Sequence, residues 1–135
     1  MRFGAAVTSG ILKTFVYSGR ASRSEFWWFV LFMHLLWAVP YAGIASGWIP
    51  AAWGPAMVAV LMPVELLLGV SQCALATRRL HDVGRSGWWL LVDFLPLVGR
   101  VVVLFWMLRR GDAGDNRFGP DPLGRRDARL VAAWA

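Results

Sequence analysis

Charge is scarce in this chain: Asp, Glu, Lys and Arg make up 16% of it, against about 25% in an ordinary soluble domain. The scarcity is also uneven. Residues 26–77 hold one charge, Glu65, and residues 86–108 hold two, Asp93 and Arg100, so the remaining 60 residues carry 19 of the 22 charges. That segregation excludes a soluble globule and a disordered chain. Cysteine is limited to Cys73, inside an apolar run, which excludes an intramolecular disulfide and a disulfide scaffold. Lysine occurs once against 13 arginines. The chain has no HExxH, paired CxxC or GxSxG pattern, so neither a metal centre nor a catalytic nucleophile is expected. We expect no cofactor and no enzyme activity.

What the 135 residues do have is hydrophobic side chains, 58% of the total, and nine tryptophans. The reading is an all-α polytopic membrane protein. A bilayer core of about 30 Å needs about 20 helical residues. Residues 26–48 satisfy this without a charge, and they open on Phe26-Trp27-Trp28-Phe29, an aromatic belt beside Arg20 and Arg23. Pro40 is expected to kink this helix, and the Gly47–Gly54 stretch with Pro50 makes a turn. Residues 52–77 form a second transmembrane helix, ending at Arg78-Arg79. Positive charge at both outer ends of this pair puts both on the cytoplasmic side.

Residues 88–108 leave two arrangements open. They open on Trp88-Trp89 and close at Arg109-Arg110. One arrangement is a third hydrophobic helix, kinked at Pro96, that spans the membrane. The other is a re-entrant hairpin, whose non-helical backbone would need shielding by protein. The full span is the favoured expectation. Around this membrane domain of residues 26–110 lie a basic N-terminal arm, 1–25, and a polar tail, 111–135. Residues 1–25 do not read as a signal peptide, because Arg20 and Arg23 follow the apolar stretch. Phe3, Val7, Ile11, Leu12, Phe15 and Val16 recur at helical spacing. That fits an interfacial helix, with a frayed cytoplasmic arm as the alternative. Residues 125–134 fit a short amphipathic helix presenting Leu130, Val131 and Trp134.

Three stretches carry a resemblance: Gly19-Arg20-Ala21-Ser22-Arg23-Ser24-Glu25-Phe26-Trp27, Arg78-Arg79-Leu80-His81-Asp82-Val83-Gly84-Arg85-Ser86-Gly87-Trp88-Trp89, and Gly114-Asp115-Asn116-Arg117-Phe118-Gly119-Pro120-Asp121-Pro122. In that order, separated by apolar helices, they resemble the bacterial inner-membrane family DUF805 (domain of unknown function 805) over about residues 11–123. The resemblance implies a small multi-pass protein of the bacterial cytoplasmic membrane and no known reaction. Asp93 and Arg100 look like departures from that family, whose members more often carry apolar residues there.

Two groups of residues are candidates for function. Arg20, Arg23, Arg78, Arg79, Arg85 and Arg117 can donate to phosphate, Trp88 and Trp89 suit a headgroup layer, and His81 and Asp82 can form a bonded pair. Together they suggest a face for anionic phospholipid headgroups or a partner protein. The alternative is a folded turn in which Asp82 caps helix ends or pairs with arginine. If the tail is cytoplasmic, Arg117 and Asp121 can pack on the Arg78–Gly87 turn as one polar cap. The second group, His34, Glu65, Gln72, Asp93 and Arg100, lies within the membrane. A mid-bilayer charge there costs about 3 kcal/mol and normally finds a partner. In a spanning segment three, Glu65 and Arg100 both lie about 18 Å deep and would pair, with Asp93 near Gln72 and Arg78.

That polar set reads as a structural ion pair or, alternatively, as the path of a small oligomeric transporter or ion-translocating subunit using His34, Glu65 and Arg100. Homo-oligomers and membrane partners fit either reading. Gly43-xxx-Gly47 is a possible contact face for another helix. The net charge of +6 does not point to nucleic acid, because the arginines flank apolar spans and form no continuous basic face.

Overall fold

In the computed structural model, which describes residues 1–124, every regular element is helical: α1 (Phe3–Leu12), α2 (Arg23–Ala45), a one-turn 3-10 helix at Ala51–Trp53, α3 (Gly54–Asp82), a longer 3-10 helix at Gly87–Phe94 and α4 (Val98–Leu108). The short amphipathic helix expected at residues 125–134 lies outside the described residues.

The start of α2 is set by Ser22, whose Oγ accepts from the Glu25 backbone N–H at 3.3 Å. That is one half of a capping box, and it begins the helix three residues before the first apolar position. The helix runs through Pro40 and ends where Gly47 adopts φ +77°. The Ile49 backbone N–H then donates to the Gly43 carbonyl at 2.9 Å, and the Ile49 side chain lies against Gly43. Both glycines thus serve the turn of their own chain, with Gly43 covered by Ile49 and Gly47 open.

α3 extends five residues past the expected end at Thr77, so Arg78, Arg79, His81 and Asp82 are helical residues and not part of a turn. Gly84 closes the helix. At φ +71° its N–H donates to the His81 carbonyl at 3.1 Å, while Arg85 N–H reaches back to Leu80 at 2.9 Å. This is the glycine-terminated helix end in which two otherwise orphaned carbonyls are satisfied.

α2 and α3 are long and apolar enough to cross a membrane, and only 6% and 22% of their most apolar windows are buried. The core helix of a soluble protein would be mostly covered; these two present their apolar sides outward. The apolar core is confined to one end. Ala21 just before α2, with Phe26 and Phe29 at its start, meets Leu75 and Leu80 near the end of α3 and Val83 just after it, and Trp106 and Met107 of α4 close the cluster. α1 packs here too, its Gly10 so close to the Phe29 ring that a side chain at that position has no room. Its apolar stripe, Phe3, Ile11, Leu12, Phe15 and Val16 (the last three beyond or at the helix end), stays exposed.

Residues 88–108 form a hairpin and not one continuous kinked helix. The 3-10 helix ends at Phe94, and the chain reverses through Leu95–Leu97, with Leu97 at φ +62°. α4 then packs back along the 3-10 helix. Pro96 contributes no N–H, and Gly99 sits where a Cβ would collide with the Val92 carbonyl, so the two arms touch through their backbones. Trp89 and Trp106 meet edge to face at 4.9 Å between ring centroids, and the Arg85 guanidinium covers both. The hairpin returns the chain to the end of α3, where Asp112 N–H donates to the Asp82 carbonyl at 2.7 Å.

Candidate functional site

The three polar stretches flagged in the sequence converge at the returning end of α3. Arg20, from the arm before α2, is the hub. Its Nε donates to Asp82 Oδ1 at 2.9 Å, Nη1 to the Gly114 carbonyl at 2.6 Å and Nη2 to the Asp112 carbonyl. One planar guanidinium therefore ties the N-terminal arm, α3 and the tail together. Its fixed fork of five N–H groups suits three acceptors from different directions. Asp121 adds a longer contact at 3.9 Å.

Arg79 takes the other oxygen of Asp82, with Nη1 at 2.5 Å from Oδ2, and donates to the carbonyls of Met107 and Arg109. Those carbonyls end α4 and have no partner within the helix, so the buried cation and the orphaned helix end satisfy each other. Asp82 thus sits between two guanidiniums, with all three side chains at most 3% exposed. Gly111 passes so close to the Asp82 carboxylate that no side chain fits there. Deeper in, Arg78 meets Glu25 at 3.4 Å, and Glu25 also accepts from Ser9 Oγ at 2.8 Å. The Arg78 Nε and Nη2 atoms are buried without a partner.

The imidazole of His81 stacks on Phe118, 4.0 Å between ring centres and 2° from parallel, and its Nδ1 meets the Gly19 carbonyl at 3.0 Å. Nδ1 must carry the proton to donate there, so this bond selects the tautomer. Arg117 covers the other side of Phe118 and donates to the Gly84 carbonyl at 3.2 Å. Asn116 holds the tail from behind, donating to the His81 carbonyl at 2.9 Å. His81 stands in the last turn of α3, beyond the apolar stretch. Burial pushes its imidazolium below the ordinary range; the Gly19 bond opposes this and the Arg117 charge reinforces it.

The structure therefore divides the first group of candidates. Arg20, Arg78, Arg79 and Asp82 are buried and turned inward. They form the polar cap and do not display their charges to headgroups, which corrects the surface role expected of the three arginines. Carboxylates and carbonyls satisfy the buried donors of Arg20 and Arg79 where three helix ends meet. Arg23, Arg85, Arg117, Trp88 and Trp89 remain exposed around the cap. Arg117, on the Gly84 carbonyl, and Asp121, beside Arg20, both pack onto this cap.

The second group is not brought together. No ion pair joins Glu65 to Arg100 among the described residues, and Asp93 bonds neither Gln72 nor Arg78. The expected pairing assumed a spanning segment three; the hairpin instead leaves Asp93 and Arg100 exposed near its tip. His34 Nδ1 lies 2.8 Å from the Val30 carbonyl of its own helix. Glu65 Oε2 and Gln72 Oε1 are buried without a hydrogen bond. Sequence reasoning missed Glu25, Asp112, Asn116 and Phe118 as working parts of the cap. The signal for Glu25 was present, since Ser22-x-x-Glu25 marks a helix start.

Most of the cap's side chains come from these three stretches, and residues 14–120 match the family described as "Protein of unknown function (DUF805)". The chain belongs to the DUF805 family. Two relatives are from Escherichia coli (strain K12). The chain is 34% identical over 115 residues to inner membrane protein YhaH, covering 83% of this chain and 92% of that one. It is 36% identical over 118 residues to inner membrane protein YhaI, covering 83% and 91%. No solved structure matches. The matched range begins after α1 and ends within the tail turn, so it takes in Arg20, Arg79 and Asp82, while Asp121 lies one residue beyond it.

Proposed function

We propose that this DUF805 protein crosses the bacterial inner membrane twice, through α2 and α3, and keeps its N-terminal arm and tail on the cytoplasmic side. In this reading the hairpin enters and leaves the membrane on that side. The protein is a non-catalytic interaction or accessory component that engages anionic phospholipid at the rim of its polar cap. Inner-membrane relatives and two apolar helices with outward-facing surfaces support the location. The basic residues gathered at one end support the orientation.

The observation that carries the lipid reading is a groove at the start of α2. It encloses about 510 Å³ and is lined by Arg23, Ser24, Trp27, Trp28 and Leu31. A guanidinium and a hydroxyl stand at its polar mouth, two indoles lie along it, and Leu31 sits two turns further along the helix. That order of groups follows a phospholipid from phosphate through glycerol to acyl chain. The transport reading has no such support, since no bond links His34, Glu65 and Arg100.

The test is native mass spectrometry of the full chain released from nanodiscs of phosphatidylcholine with and without phosphatidylglycerol. Retained phosphatidylglycerol that falls at least tenfold in Arg23→Gln/Trp28→Ala supports the reading. Equal retention by both proteins overturns it.

A further inference from the structure

The hairpin tip is an exposed apolar surface. Phe94 and Leu97 are each 84% exposed, and Val98, Val101 and Phe105 around them are at least 60% exposed. Among these apolar side chains stand one acid and one base, Asp93 and Arg100, both exposed. Gly99 brings the two arms into backbone contact beside Asp93, so the opposite charges are neighbours on the hairpin. No ion pair or hydrogen bond holds either side chain among the described residues.

The following step rests on the membrane placement proposed above. At about 2.0 Å per residue along the 3-10 helix and 1.5 Å along α4, both charges lie about 12 Å from the cap end of the hairpin. An aspartate at that depth is too short to reach the interface, and lipid offers it no partner. The backbone that breaks at Leu95–Leu97 is likewise tolerated at depth only against protein. The exposed charges, the broken backbone and the apolar ring occur on one surface.

We propose that a second copy of this chain covers the hairpin tip, its Arg100 against Asp93 and its Asp93 against Arg100. A two-fold axis beside the tip makes both pairs at once, because one patch carrying adjacent opposite charges is complementary to itself after rotation. The same contact buries Phe94 and Leu97 and shields the reversal.

The experiment measures self-association of the full chain in nanodiscs by native mass spectrometry. The wild type is expected as a dimer. Asp93→Arg alone and Arg100→Asp alone set like charges against each other and should weaken the dimer at least tenfold. Co-expressed, the two variants should pair with one another and not with themselves. An ion pair within one hairpin cannot produce that mixed pairing. A monomeric wild type, or single variants that dimerise as well as wild type, overturns the proposal.

If the charge variants fail to fold, oxidative cross-linking decides. On a Cys73→Ser background, Leu97→Cys should cross-link and Val60→Cys, on the far half of α3, should not. Equal cross-linking at both positions, or none at Leu97→Cys, overturns the proposal. A chain stripped from membranes by alkaline carbonate would sink the membrane placement itself, whereas a carbonate-resistant monomer sinks only the dimer.

Discussion

Asp82 is the carboxylate on which the cap depends, because it separates two buried guanidiniums, Arg20 and Arg79. Removing its charge leaves both cations buried with one another. Breaking a buried pair in this way typically costs about 3–5 kcal/mol. Asp82→Asn should therefore lower thermal stability in detergent by many degrees, while Arg23→Gln, exposed at the rim, should change it little. Equal shifts for the two would mean that the cap is not what holds the helix ends together. His81 makes a second prediction. Its proton affinity in the folded protein is depressed, so the unfolded chain binds more protons as pH falls through the ordinary imidazole value of about 6.5. Stability then rises with pH across that window and is fully present above it. Limited proteolysis of the tail should accelerate between pH 7 and pH 5.5 in the wild type. In His81→Asn that acceleration should be absent.

The hairpin exists because its two arms can touch. Its contact is backbone on backbone at Gly99 and Val92, with the Trp89–Trp106 pair and Arg85 sealing the wider end. A methyl at position 99 meets a carbonyl that cannot move without unwinding the 3-10 helix. Gly99→Ala should destabilise the protein by about 1–3 kcal/mol, the usual cost of overpacking. The readout is the melting midpoint in detergent, with Gly69→Ala as comparison, since a Cβ at Gly69 meets nothing within 4 Å. Helix propensity favours alanine over glycine, so Gly69→Ala should not lower the midpoint, and a similar loss from both would show that the close approach at Gly99 does not set the cost.

The polar cap closes a loop in the chain, from Arg20 through Asp82 to the tail, and this decides which side the tail is on. If α2 and α3 span, a tail bonded to Arg20 and Asp82 must share the side of the N-terminal arm. A protease-sensitive tag placed after the tail should stay protected in spheroplasts and be digested in inverted vesicles. Digestion in spheroplasts would contradict the hairpin. Ending the chain after Leu108 removes the Asp112, Gly114 and Gly119 carbonyls that Arg20 uses. Such a chain should accumulate poorly in the membrane, and Arg20→Gln in the full chain should fall short of that loss.

Location and family were legible from residue order alone. Charge segregation depends on composition along the chain, and an uncharged run of sufficient length is apolar whatever its neighbours. The three polar stretches were also visible, as was the first pair of helices to within a few residues. The direction of residues 88–108 was not, because Pro96 and Gly99 permit both a kink and a reversal. Contacts between residues far apart resolve that choice: Gly99 against Val92, and Arg79 against the end of α4. Whether an arginine faces lipid or interior was equally hidden. Arg78, Arg79 and Arg85 read alike in sequence, yet helical rotation turns the first two onto carboxylates and carbonyls while the glycine turn at Gly84 carries the third outward. The intramembrane pair was misplaced for the same reason, since depth counted along a span does not apply to a chain that turns back halfway.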